Sequence, residues 1–151
     1  METRINIGQT EPEAYKVLAG IDKYLQTTAL DKQYRELIKI RASQINGCAY
    51  CINLHTKDAR KLGETEQRIY LLSAWRETDL YTEEECSILA LTEEITLISN
   101  GGVSNETYEK AARLFDANYL AQIIMAIIAI NAWNRIGVTT HMKPTADKVT
   151  G

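Results

Sequence analysis

Cys48-Ala49-Tyr50-Cys51-Ile52-Asn53-Leu54-His55 leads into Thr56-Lys57-Asp58-Ala59-Arg60-Lys61-Leu62 without a strand-like alternation. Cys48, Cys51, Ile52, His55, Ala59 and Leu62 instead share one stripe at the 3.6-residue period. Lys57, Arg60 and Lys61 take the opposite side, and Gly63 is placed to end the helix. Two thiols and an imidazole therefore lie in the apolar seam of a helix that starts near Cys48. Cysteines three apart in a first helical turn can close a disulfide, and a histidine four residues on can touch the second sulfur.

The flanking sequence repeats the helical pattern. Thr10-Glu11-Pro12-Glu13 reads as a capping-box start, with Ala14, Val17, Leu18, Ile21 and Leu25 on one face behind it. A helix from about Asp31 carries Tyr34, Leu37, Ile38, Arg41 and Ile45 and stops at Asn46-Gly47. Another spans roughly 66–76. Thr82-Glu83-Glu84-Glu85 opens a helix with Cys86, Leu89, Ala90 and Leu97 facing in, ended by Asn100-Gly101-Gly102. Ser104 starts a short helix to Phe115. The last helix, about Tyr119 to Arg135, is apolar nearly all round, as a central or subunit-covered helix is. The polar tail from about 138 is expected to be loose. The expectation is an all-α single domain, residues 1–151, built as a bundle of about six to seven helices.

The composition narrows the function. At 151 residues, 45% hydrophobic and 25% charged, with a net charge of −3, the chain can bury a full core. It has no basic footprint for nucleic acid. The apolar run Leu120–Trp133 is interrupted by Gln122 and Asn131 and is short for a bilayer span, so no membrane partner is expected. Met1-Glu2-Thr3-Arg4 opens no apolar signal segment, and the chain is expected in a reducing cytoplasm. There a lone cysteine pair is catalytic or metal-binding more often than a structural staple.

Zinc needs four ligands, and the pair, His55, the distant Cys86 and the tail residue His141 make a poor set. Thioredoxin-type sites need a strand before the pair, and none is legible. Two small buried cysteines with no chemistry are the bland alternative. A redox-active dithiol is the remaining reading, and no cofactor or metal is expected. His55 is one turn from Cys51 but about 10 Å from Cys48, so Cys51 is the sulfur whose proton it can take. A thiol pKa of about 8.5 falls beside a base or a helix N-terminus. Cys48 would then attack the oxidised Cys51, expel water from its sulfenic acid and close the disulfide. Glu36, with Ile40 and Ser43, sits on a stripe offset from the main apolar face of its helix; the pattern favours a solvated surface acid over a relay, and periodicity does not decide between them. Cys86, Trp75 and Trp133 read as packing residues.

The run Glu36-Leu37-Ile38-Lys39-Ile40-Arg41-Ala42-Ser43-Gln44-Ile45-Asn46-Gly47 followed by the Cys48–His55 segment resembles the core of AhpD-like alkylhydroperoxidases of the carboxymuconolactone decarboxylase superfamily. The family pattern has a Glu twelve residues before the first Cys and a His four after the second, here Glu36, Cys48, Cys51 and His55. Asn131-Ala132-Trp133-Asn134-Arg135 resembles the family's final helix less specifically. The resemblance spans about residues 10–140, with its core motif at 36–62. It implies an AhpD-like helical fold and a homo-oligomer, trimer or hexamer. It also implies a peroxidase that reduces alkyl hydroperoxides or hydrogen peroxide with electrons from a dithiol or protein donor. Cys51 would be peroxidatic, Cys48 resolving, and Glu36 with His55 the proton relay. Family peroxidases often place a second His where this chain has Tyr50, and a phenol of pKa about 10 is a poor substitute base. Tyr50 reads as a surface or subunit-contact aromatic. A lactone decarboxylase on the same scaffold, or a non-enzymatic redox-sensing module, are the competing functions.

Overall fold

Gly47 closes one helix in the left-handed conformation (φ 67°), and Cys48 caps the next in extended backbone. The Gly47 N–H bonds Gln44 O, and the Cys48 N–H bonds Ser43 O at 3.0 Å. This is the Schellman closure that an Asn-Gly pair favours. It turns the chain in a single step from the helix carrying Glu36 to the helix carrying the thiols.

The computed structural model describes residues 4–148, so the first three and last three residues of the expected 1–151 domain lie outside it. The described part is all-α, with no strand. Its helices are α1 (Ile7–Thr10), α2 (Pro12–Gln26), α3 (Lys32–Asn46), α4 (Ala49–Lys61), α5 (Glu66–Leu71), α6 (Glu83–Thr96), α7 (Asn105–Leu114) and α8 (Ala117–Thr139). A 3-10 turn, Leu72–Glu77, continues α5. The helix expected over 66–76 is thus two pieces, and α1 was not anticipated. Because α1 ends at Thr10, the expected Thr10 cap does not form. Glu11 precedes Pro12 with no side-chain cap, and Pro at the first position starts α2 instead. Other caps follow the sequence: Asp31, Ser104 and Asp116 each accept first-turn N–H groups, and Thr82 with Glu85 makes a full capping box.

α3 packs on α4, α6 and α8. Its Ile38 and Ala42 join a core with Leu25, Ile88, Leu91, Ile123, Ile127 and Ile130. Leu37 and Ile40 join a second with Ala59, Ile69, Leu72, Trp75 and Leu89. Each such side chain contributes about 1.5–3 kcal/mol on burial, so α3 is held on two faces. α8 is long and apolar enough to cross a membrane by length and composition, yet half of that stretch is buried inside the bundle. Leu97, expected inside, is half exposed past the end of α6. Val17, expected on the inner face of α2, points outward. The tail is partly pinned: Arg4 N–H bonds Thr140 O, Met142 N–H bonds Gly137 O, and Lys57 pairs with Asp147.

Candidate active site

The two thiols are joined as a Cys48–Cys51 disulfide, and both residues are buried. Cys48 is the N-cap of α4, its Sγ accepting the Cys51 N–H at 3.3 Å. The sequence expectation that α4 begins at the first cysteine holds.

Glu36 is not the surface acid that its stripe suggested. It is only 8% exposed, because Ile40 and Ser43 on the same stripe of α3 are fully buried beyond it. Its two oxygens are divided: Lys39 Nζ donates to Oε1 at 2.9 Å, and His55 Nδ1 lies 3.1 Å from Oε2. Burial pushes the Glu36 carboxyl up, but the hydrogen bond from His55 and the Lys39 charge outweigh it and hold it below the usual carboxylate value. An ionised carboxylate only accepts, so Nδ1 carries a proton, and in the neutral imidazole Nε2 is the nitrogen with the lone pair.

A cavity of about 220 Å³ opens beside His55 and Lys39. Cys51 and His55 both line it, while Cys48 does not. Leu25, Leu54, Ala126 and Ile130 supply apolar wall, and Tyr15, Tyr50 and Trp133 supply rings. Trp133 is more than packing: its Nε1 donates to Asp22 at 2.6 Å and its ring meets Tyr15 edge-on, with centroids 5.0 Å apart. Tyr50 is half-buried in the same wall.

Beneath the thiols runs a buried amide network that the sequence reading did not anticipate. Asn46 Nδ2 donates to Oδ1 of both Asn131 and Asn134 at 2.9 Å. Asn134 Nδ2 donates to Ser43 Oγ at 2.9 Å, and Ser43 O in turn holds the Cys48 N–H. Asn131 also reaches Thr96 Oγ1. The network ties α8 to the α3–α4 turn. One turn past Asn134, buried Gly137 backs directly onto the sulfurs. A Cβ at that position would stand 2.8 Å from Cys48 Sγ and 3.5 Å from Cys51 Sγ. The one signal in the sequence was a lone glycine within an apolar helix.

Cys86 stays outside the site, half-buried on α6 with its Sγ toward Tyr81 O, and burial raises its thiol pKa. Trp75 is buried and donates to Glu93. Among the described residues Glu36, His55 and Asp58 offer ligand atoms within 4.8 Å of one another, where a cation would compete with the Glu36–His55 hydrogen bond.

Comparison with known proteins gives a consistent set. The Carboxymuconolactone decarboxylase family model matches residues 12–94, which include Glu36, both thiols and His55. The uncharacterized protein YdfG of Bacillus subtilis (strain 168) is 45% identical over 138 residues, 91% of this chain and 94% of that protein. A crystal structure from Agrobacterium tumefaciens, of a protein of unknown function described as a putative antioxidant defence protein AhpD, matches with a TM-score of 0.94. It is 38% identical, over 97% of this chain and 100% of that one. An alkylhydroperoxidase AhpD core structure from Ralstonia eutropha JMP134, an uncharacterized peroxidase-related protein, shares the fold at a TM-score of 0.79. Its identity is 18%, over 91% of this chain and 74% of that one.

Proposed function

Starting from a chain that belongs to the carboxymuconolactone decarboxylase family and has the AhpD-like fold, we propose a thiol-dependent peroxidase reducing alkyl hydroperoxides through Cys51 and Cys48. The observation that carries this is the position of Cys51: bonded to Cys48 on one side, and on the other sharing a cavity with an imidazole that a buried carboxylate orients.

In the reduced enzyme His55 Nε2 takes the Cys51 proton, directly or through one water, and leaves a thiolate. That sulfur attacks the terminal oxygen of the hydroperoxide, the O–O bond breaks, and the alkoxide leaves as alcohol with the proton from His55. Cys51 becomes a sulfenic acid. Cys48 sulfur displaces the hydroxyl group, which leaves as water with the Cys48 proton, and the disulfide forms. An external dithiol returns two electrons and two protons. Glu36 stabilises the imidazolium in the interval, as an ionised carboxylate does for a neighbouring cation.

The cavity lining favours an apolar hydroperoxide. Among the described residues that line it, Lys39 is the one lysine or arginine and is already paired with Glu36, which argues against a decarboxylase that must hold a substrate's carboxylates. The same reading includes a cytoplasmic setting, a small dithiol or a dithiol-bearing protein as donor, and a trimer or hexamer. Ile128 and Val138, apolar and half exposed on α8, support the subunit contact. The test is peroxide consumption with a dithiol donor. Wild type is expected to turn over and Cys51→Ser to be inert; equal activity of the two would remove the proposal.

A further inference from the structure

The geometry points to Gly137 as a positioning residue that sets the balance between the disulfide and dithiol forms of the Cys48–Cys51 pair. This inference rests on the reading of that pair as a cycling dithiol.

A real Cβ does not sit 2.8 Å from sulfur, so an alanine at 137 requires something to move. In the disulfide the nearest atom, Cys48 Sγ, is bonded at both ends and cannot rotate about its own χ1. In the dithiol it is the free end of a short side chain and can turn about χ1. The backbone of α8 is poorly placed to yield, because Asn134 one turn earlier is bonded to Ser43 and Asn46. Cys48 is buried and does not line the cavity, so its sulfur has no adjoining open space to retreat into either. A methyl group at 137 therefore penalises the oxidised form selectively. The glycine keeps the disulfide accessible after each turnover, and the size of the residue here tunes how oxidising the pair is.

The exchange to be measured is balanced: disulfide protein and reduced dithiothreitol give dithiol protein and cyclic oxidised dithiothreitol, with two electrons and two protons transferred. Wild type, Gly137→Ala and Gly20→Ala are equilibrated in such mixtures, quenched with an alkylating reagent and read by mass. Gly20, on α2, faces open space and controls for the change in helix propensity. The expected result is a shift of the Gly137→Ala equilibrium toward dithiol by about tenfold or more, about 30 mV. Gly20→Ala should match wild type. An unchanged Gly137→Ala equilibrium, or a shift toward disulfide, overturns the inference. So does failure of Gly137→Ala to fold when reduced, or of Gly137→Ala to fold in a Cys48→Ser background, because the glycine would then be a packing requirement of the bundle. A wild-type pair that never exchanges with dithiol removes the peroxidase reading itself, whereas normal wild-type exchange beside an unaltered Gly137→Ala removes only the role of Gly137.

Discussion

His55 Nδ1 lies 3.1 Å from Glu36 Oε2, so an imidazole on α4 is fixed in orientation by a carboxylate that α3 buries. The contact is made between helices joined by the two-residue turn Gly47-Cys48, and it determines which ring nitrogen is free to act as a base.

The Glu36 carboxyl is held below its ordinary value, so folding favours its ionised form. Its contribution to stability is therefore full above the unfolded value of about 4.3 and is lost as pH falls through the lower folded value. Thermal unfolding of wild type should show a drop in midpoint across that acid window. Glu36→Gln should show less of one, and an identical acid profile for the two proteins would refute the linkage.

Removal of the resolving thiol should separate the two halves of the cycle. Cys48→Ser is expected to consume one equivalent of hydroperoxide and stop, with a sulfenic acid at Cys51 that dimedone traps. Label found elsewhere, or sustained turnover with the same donor, would reassign the sulfurs.

Leu54 lines the cavity yet is exposed enough to change without disturbing the core. Leu54→Glu should lower kcat/KM for a bulky apolar hydroperoxide about tenfold while leaving hydrogen peroxide almost unaffected. Equal losses on both substrates would show that the apolar wall does not select.

Asn134 is fully buried and shares hydrogen bonds with Ser43 and Asn46. Asn134→Ala removes both bonds, leaving Asn46 with Asn131 and Ser43 with the Lys39 carbonyl, and should cost about 1–3 kcal/mol in denaturant unfolding. A change below about 0.5 kcal/mol, the range of ordinary surface substitutions, would mean that the network does not anchor the α3–α4 turn.

Much of this arrangement was legible before any coordinates. Asn46-Gly47 and the cap at Thr82 mark helix ends through local backbone chemistry, which depends on few neighbours, whereas α6 stops at Thr96, ahead of the expected Asn100-Gly101-Gly102. The Cys48–Cys51–His55 stripe was legible for the same reason, since its residues share one helix. Glu36 was not, because a periodicity argument assumes one apolar face and α3 has two. Ile38 with Ala42 and Leu37 with Ile40 enter different cores, and an acid between them is buried although its stripe looks polar. It was the resemblance, rather than the pattern, that singled Glu36 out. Trp133 on α8 meets Asp22 on α2, and Gly137 on α8 meets the thiols at the start of α4, only after the chain has folded back on itself, and sequence spacing carries no trace of such contacts.

The most direct measurement is a thiol titration of Cys51 in the reduced protein, its Glu36→Gln variant and its His55→Gln variant. A wild-type thiol pKa well below the ordinary value of about 8.5 is expected, rising toward it in both variants. An ordinary value in wild type, or a depressed value that survives loss of His55, would contradict it.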